Sequence, residues 1–281
     1  MIEFFAEHFV QNALKVSLVM GLFLSYLGVH VVGRGIVFVD LALGQISMLG
    51  IALANYLGYD PTIVSVCFTM VAAFFLSLIN IKDRRLKQEA VIGIIYAVAS
   101  AVTVLLIAKS PHGDSDISEV LFGSLFTVSP ENITMMMVLF GSLGLVHLVF
   151  RKKFFDLTES IEVDDSHQPG VFKLWNFLFF LSIGLSIVFA VRAGGVIPVF
   201  SYLIIPPVSA IMVARSTAGV VIIAMVVSIL GSVLGLLFAL QFDFPAGSSI
   251  VAILGVLFAV FSIMRFVLRY IRKTAVEKPG A

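Results

Sequence analysis

Charged residues and cysteine are both scarce in this sequence. Only 12% of the 281 residues are charged, and the formal net charge at pH 7 is +1. This balance excludes the strongly basic surface by which proteins bind nucleic acid, so we expect no nucleic-acid partner. The single cysteine, Cys67, excludes an internal disulfide and a thiolate metal cluster.

The common catalytic motifs are also missing. There is no G-x-x-x-x-G-K-[ST] phosphate loop, because GRGI at 33–36 is too short and has no lysine. There is no H-E-x-x-H motif of a metalloenzyme. Asp40 has no second aspartate within an apolar segment with which to form an aspartyl protease pair. We therefore expect this chain to have no catalytic activity of its own.

Hydrophobic residues, by contrast, make up 60% of the chain, and the mean hydropathy is +1.10. A soluble domain of this length cannot bury so much apolar surface, whereas membrane lipid removes the need to bury it. A helix needs about 20 apolar residues to cross a bilayer. Nine such runs are present: residues 12–32, 40–58, 62–80, 90–109, 132–150, 174–192, 197–214, 219–240 and 249–268.

These runs must be helices, because an open strand edge leaves its backbone groups unpaired in lipid. The expected fold class is all-α: one polytopic transmembrane bundle formed by residues 1–281 as a single domain. The weakest span is 40–58, which is glycine-rich and polar at its start. If that stretch is broken or re-entrant, the count falls to eight. The N-terminal residues lack a signal-peptide pattern, so we expect the first helix to direct insertion.

Basic residues predict the orientation, since they concentrate in cytoplasmic loops. With nine spans, the basic clusters all fall on one side if the N-terminus is outside and the C-terminus is cytoplasmic. These clusters are Arg34; Lys82, Arg84, Arg85 and Lys87; Arg151, Lys152 and Lys153; Arg215; and Arg265, Arg269, Arg272 and Lys273.

The stretch at 33–56 carries polar side chains into an apolar segment. Asp40, Gln45 and Ser47 offer oxygen ligands close together in sequence, and such groups within a membrane usually face a bundle interior or a water-filled path. His30, ten residues before Asp40, is a further candidate ligand, since imidazole and carboxylate suit zinc or manganese. The alternative is structural: Asp40 caps a helix, and Gln45 and His30 bond neighbouring helices.

Two further patterns indicate packing. Gly231 and Gly235 lie on one helix face, which favours close approach of a second helix. Pro206 and Pro207 interrupt the hydrogen-bond ladder within a span, which indicates either a kink or carbonyls freed to line a cavity.

Five stretches carry a recognisable pattern over nearly the whole chain: LGVHVVGRGIVFVDLALGQISMLGIALA at 27–54, EAVIGIIYAVASAVTVLLI at 89–107, LFGSLFTVSPEN at 121–132, VRAGGVIPVFSYLIIPPVSAIMVA at 191–214 and FDFPAGSSIVAILGVLF at 242–258. Together and in this order they resemble the membrane subunit of zinc/manganese-type ABC importers, the ABC-3 permease family. The first is similar to the family pattern D-A-L-S-H-A-x-L-P-G-V-A-L-A, aligned on Gly50.

The resemblance is imperfect at the residues thought to contact the metal. Gln45 stands where the family usually has histidine, and Asp40 stands five residues before it rather than four. Leu41 occupies the strict aspartate position. Asp40 would then take the place of the family aspartate after a small shift in position. Gln45 would offer the metal only a carbonyl oxygen, which is a weak ligand. A site without imidazole favours zinc less.

The resemblance implies a subunit of a bacterial inner-membrane importer of the type II fold. A second copy of the chain, an extracytoplasmic solute-binding protein and a separate ATPase that hydrolyses ATP would be its partners, with lipid around it. The cargo would be a divalent metal ion, zinc or manganese, and no cofactor would be bound permanently. The cytoplasmic loop at 151–173 would dock on the ATPase through Phe155, Asp156, Leu157 and Ile161.

Other interpretations of the same features stay open. Loop 151–173 is equally typical of a solvated loop with an acidic face. The whole chain fits an ion-coupled secondary transporter driven by protons through Asp40, although the internal symmetry of such folds is weak here. It also fits an ABC permease for a chelated metal or another small solute, or a purely structural membrane subunit.

Overall fold

The computed structural model describes residues 7–79, 88–109, 123, 125–159 and 170–276. Within these ranges the chain forms helices and no strand. The long helices are α1 (His8–Gly33), α2 (Val39–Leu57), α3 (Pro61–Leu78), α4 (Gln88–Ile107), α5 (Pro130–Val149), α7 (Gly170–Gly194), α8 (Val196–Val213), α9 (Thr217–Phe242) and α10 (Ala246–Val276). A short helix, α6 (Arg151–Glu159), separates α5 from α7, and a 3₁₀ turn (Leu125–Thr127) precedes α5.

The predicted all-α transmembrane bundle is confirmed. In the described part of the chain, nine helices are long and apolar enough to cross a membrane, and their ends lie within a few residues of the predicted runs. The stretch at 40–58, the weakest of the predicted spans, forms the continuous 19-residue helix α2. Its polar start is tolerated because α3, α4 and α7 surround it and shield it from lipid.

Local sequence signals determine where several helices begin and end. The Asp60 side chain accepts hydrogen bonds from the amides of Thr62 (2.8 Å) and Ile63 (3.0 Å), and Pro61 occupies the first position of α3. Ser129 caps α5 in the same way, also followed by proline. Gly58 ends α2 with φ of 76°, a left-handed conformation that glycine adopts without strain. These caps satisfy backbone groups that would otherwise be unpaired at the helix ends.

The centre of the bundle is α1, which packs against α8, α9 and α5. On the other side, α2 packs against α3, α4 and α7. By contrast, α3, α4 and α10 expose large apolar side chains; Phe75 is 61% exposed, Leu105 68% and Phe266 72%. Exposed apolar surface of this extent requires lipid around it, so the chain is a multi-pass membrane protein.

The proline pair of α8 faces α1 at Gly28. Both prolines are buried, and α8 continues through them to Val213. Pro207 has no N–H to bond the carbonyl of Leu203 one turn earlier. That carbonyl lies so close to Gly28 that a side chain there would overlap it, and the ring of Pro207 lies beside it. The freed carbonyl of Leu203 therefore faces the neighbouring helix α1 at Gly28.

The two glycines of α9 face α10. A Cβ on Gly235 would lie 2.9 Å from the backbone nitrogen of Ile250 and 2.8 Å from its Cγ1. A Cβ on Gly231 would meet the side chain of Leu254. Glycine at these positions allows the two helix backbones to approach closely, and dispersion contacts between them replace those with lipid.

Candidate functional site

Asp40 lies in the first turn of α2 and is only 3% exposed. Its two carboxylate oxygens are buried and form no hydrogen bond with another element of the described chain; the nearest donors are the amides of its own helical turn. A buried carboxylate without a partner is costly, so it requires either a bound proton or a cation. Asp40 is therefore the strongest candidate for a group that meets a moving cation.

The other two oxygen ligands predicted on α2 do not converge on Asp40. Gly44, one turn after Asp40 on the same face, faces Ile187 and Val191 of α7. Gln45 is also buried, but five residues of helix turn it about 140° away from Asp40. Ser47 returns to the Asp40 face, and its hydroxyl lies 2.8 Å from the Ser65 hydroxyl of α3. Ser47 thus bonds a neighbouring helix.

His30 also bonds a helix other than α2. It is fully buried in the last turns of α1, and its Nδ1 lies 2.8 Å from the Thr158 hydroxyl of α6. Its ring packs against Phe155 and Tyr26. Since no hydrogen bond reaches the Asp40 carboxylate, His30 does not form the polar pair with it that sequence spacing suggested. Among the described residues, no group of three or more His, Cys, Asp or Glu side chains is placed to hold a metal ion.

Arg34 holds the short connection between α1 and α2. Its guanidinium donates a hydrogen bond to the Asn176 side chain of α7 and lies over the ring of Phe179, 4.6 Å from its centroid. Asn176 in turn donates to the carbonyl of Ser77 at the end of α3 (2.8 Å). Burial lowers the pKa of Arg34 to about 10, so the side chain stays charged at neutral pH. The connection into α2, and thus Asp40, is held by α7 directly and by α3 through Asn176.

The residues predicted to dock on a partner divide between two faces of α6. Asp156 is exposed and Phe155 half-buried; both line a groove of about 890 Å³ beside α1, α5 and α9. Leu157 is only 2% exposed and belongs to the core, so its side chain is not on the exposed face of α6, and its part in docking stays a prediction. The reason is the helical period: Leu157 follows Phe154 by three residues, so both point inward. Ile161 lies outside the described residues.

A polar cavity of about 560 Å³ lies at the other end of the bundle from α6. Its walls come from α2, α3, α5 and α7, and its polar lining includes Asn55, Thr62, Asn132 and Arg192. The Arg192 guanidinium donates to the Thr62 hydroxyl at 2.5 Å. None of these residues is among the candidate site residues expected from the sequence. The signal that they share is a polar side chain at the end of an otherwise apolar span.

Comparison with known proteins identifies the family of this chain. A model of the ABC 3 transport family matches residues 6–265. The chain belongs to this family. The predicted resemblance is thereby confirmed, and the match covers every helix from α1 to the greater part of α10.

Individual members of the family match over almost their whole length. This ABC 3 family chain is 29% identical over 262 residues to the chelated iron transport system membrane protein YfeD of Yersinia pestis, covering 92% of this chain and 86% of the relative. It is 26% identical over 267 residues to the manganese import system permease protein ScaB of Streptococcus gordonii, covering 95% of each.

The fold of this chain is similar to that of a solved structure. The structure of PsaBC from Streptococcus pneumoniae in complex with Fab matches with a TM-score of 0.78 and 25% sequence identity, covering 93% of this chain and 95% of the matched chain. The arrangement of helices around α1 is therefore shared with that solved structure.

Proposed function

We propose that this chain is the permease subunit of a bacterial ABC importer that moves a divalent metal ion into the cytoplasm. The family match supports the transport role, and relatives named for manganese or chelated iron support a metal as the cargo. The candidate side chains of α2 offer oxygen rather than imidazole nitrogen, a set that favours manganese over zinc.

The observation that carries the proposal is the unpartnered carboxylate of Asp40 at the start of α2. A path for a cation needs attraction strong enough for entry and weak enough for release. One buried carboxylate without a complete ligand cage provides such transient attraction. Ser47 lies on the Asp40 face of α2 but bonds Ser65, and Gln45 is turned about 140° away, so neither lies beside the carboxylate.

The proposed orientation follows from the basic residues near α6. Arg34, Arg151 and Arg215 are at or next to the helix ends at this side of the bundle. Basic residues favour the cytoplasmic side, so the N-terminus would be outside and the C-terminus inside. The cavity with Arg192 would then open toward an extracytoplasmic binding protein, and α6 toward a cytoplasmic ATPase.

The remaining partners and the energy source belong to the same proposal. A second copy of the chain would complete the path as a homodimer, and ATP would be hydrolysed by the ATPase, not by this subunit. No permanently bound cofactor is required, because the metal is cargo. The ion-coupled secondary transporter is the competing function, and Asp40 would then carry a proton.

The test is metal accumulation in bacterial cells that express the whole transporter, with manganese, zinc and iron measured by elemental analysis. Asp40→Asn removes the charge and keeps the shape, and we expect it to reduce uptake at least tenfold, since the buried charge interacts strongly with a cation. Asp243→Asn, in the exposed turn after α9, is the matched control and should retain uptake.

The other results separate the competing functions. Normal uptake by Asp40→Asn would remove Asp40 from the mechanism. Uptake that continues with a hydrolysis-deficient ATPase and stops when the proton gradient is collapsed would favour the secondary transporter. Accumulation of iron only when a chelator is supplied would identify a chelated metal as the cargo.

A further inference from the structure

Two buried histidines and three residues of α6 form a cluster that the proposed path does not use. The His147 ring of α5 stacks on Phe154 with centroids 3.9 Å apart and planes at 6°. The His30 ring of α1 lies 4.5 Å from that of Phe155, and its Nδ1 bonds Thr158. One face of α6 is thus attached to α1 and α5 through imidazole rings.

The hydrogen bonds define the direction of donation at His30. The Thr158 hydroxyl donates its only proton to the carbonyl of Phe154, 2.9 Å away. It can then only accept from His30, so the Nδ1 of the imidazole carries the proton and donates it. The contact is therefore a specific one, which a phenyl ring of similar shape at position 30 would not form.

The backbone around His30 leads directly to Asp40. The carbonyl of His30 accepts from the amide of Arg34 at 2.9 Å, and the carbonyl of Val31 accepts from that of Ile36 at 3.3 Å. The carbonyl of Ile36 accepts from Val39 at 3.1 Å, and Val39 is the first residue of α2. Because these hydrogen bonds join the end of α1 to the start of α2, a displacement of one also displaces the other.

The close approach of α6 to α1 also depends on Gly33, which has no side chain. A Cβ on Gly33 would lie 2.7 Å from the Cγ2 of Thr158. Close packing of this kind has few alternative arrangements, so elements that are joined in this way move together rather than independently.

We propose that His30 and Thr158, supported by the stack of His147 on Phe154, form the joint through which movement of α6 is transmitted to Asp40. The proposal rests on the proposed function, in which α6 faces the ATPase. These residues are positioning residues: they touch no cargo, and they set the position of the α1 end and of the first turn of α2 when α6 moves.

The first test needs no partner protein. We expect Thr158→Val, which removes the acceptor and keeps the shape, to increase amide hydrogen exchange about five- to tenfold in residues 151–159 and 28–34 of the full chain, the effect of one lost buried hydrogen bond. Thr158→Ser should retain wild-type exchange. Thr134→Val is the matched control, since Thr134 bonds only the carbonyl of Pro130 in its own helix. Unchanged exchange in Thr158→Val would overturn the joint.

The second test measures coupling in proteoliposomes that contain the permease with its ATPase and binding protein. We expect Thr158→Val and His30→Phe to hydrolyse ATP within about twofold of wild type, and to take up about fivefold less metal per ATP. The double variant should be no worse than either single variant, because both remove the same contact.

The outcomes distinguish the joint from the proposed function. Hydrolysis and uptake that fall together, or an unchanged ratio of metal to ATP, would overturn the joint and leave the permease function intact. A wild-type complex that takes up no metal would overturn the proposed function, and with it the coupling role. Hydrogen exchange would then still decide whether His30 and Thr158 hold α6 to α1.

Discussion

Among the described residues, Asp40 carries the only buried carboxylate, and that carboxylate has no partner outside its own helical turn. Ser47 bonds Ser65, and the Nδ1 of His30 bonds Thr158, so each makes a hydrogen bond to a neighbouring helix. Such bonds between membrane helices contribute roughly 0.6 kcal/mol on average and need no further function to explain them. The Asp40 carboxylate has no such compensation, which is why the transport proposal rests on it.

Asp60 shows how a carboxylate behaves when its partners are supplied. The amide of Ile63, with further hydrogen bonds from Thr62 and the charge of Arg192, holds the pKa of Asp60 below its ordinary value, although desolvation opposes this shift. A lowered pKa means that the ionised form stabilises the start of α3 at neutral pH. This stabilisation is lost as the pH falls through the lowered pKa.

We therefore expect Asp60 to titrate below the ordinary aspartate pKa of about 3.9. Carbon NMR of the full chain in detergent, with labelled aspartate carboxyls, would measure the titration. Asp60→Asn identifies the signal. A midpoint at or above the ordinary value would contradict the capping geometry.

At the scale of elements, glycine and proline decide which helices approach closely. Gly28 allows α1 to reach the proline turn of α8, and Gly235 allows α9 to reach the backbone of α10. The two glycines of α9 are not equivalent. Gly231 faces the side chain of Leu254, which can rotate, whereas Gly235 faces the backbone of Ile250, which cannot move without displacing α10.

We expect Gly235→Ala to destabilise the chain by about 1–3 kcal/mol, as overpacking does in other cores, and Gly231→Ala to cost less. Thermal unfolding in detergent would measure both. Gly255→Ala in α10 is the matched control, because no atom lies within 4 Å of the position of its Cβ. It should be neutral or stabilising by about 0.5–1 kcal/mol, the helix preference for alanine over glycine. Equal losses at Gly231 and Gly235 would contradict the packing argument.

At the scale of the whole molecule, the two ends of the bundle differ in chemistry. One end carries the polar cavity with Arg192. The other carries α6, whose exposed residues are charged and whose buried residues Phe154 and Leu157 join the core. A short amphipathic helix held in this way presents a fixed polar surface at the membrane boundary, which suits the docking of a partner.

We expect Phe155→Ala combined with Asp156→Lys to weaken association with the ATPase at least tenfold, because the first removes apolar contact and the second reverses a charge at the exposed face. Co-purification on gel filtration would measure it. An unchanged complex in this double variant would contradict docking through α6.

The buried position of Leu157 gives a separate prediction. We expect Leu157→Ala to lower the free energy of unfolding by about 2–5 kcal/mol, because it leaves a cavity in the core.

Hydrophobic run length alone determined the nine membrane-spanning helices of the described residues and their approximate ends, because each span has to satisfy its backbone internally while its side chains meet lipid. Local signals at Asp60, Pro61 and Ser129 determined helix starts for the same reason: caps act within one turn. The order of family-like stretches determined the family. These features depend on neighbours in sequence, so no tertiary information is needed to read them.

Only the tertiary structure decided what each polar side chain does. Asp40, Gln45 and Ser47 are close in sequence, yet the helix turns Gln45 away, and α3 supplies the Ser65 partner of Ser47. His30 bonds Thr158, a residue 128 positions away in the chain, and Leu157 is buried because α6 folds back onto the bundle. The partner of a side chain depends on which helices become neighbours. The periodicity of one helix does not specify which helices those are.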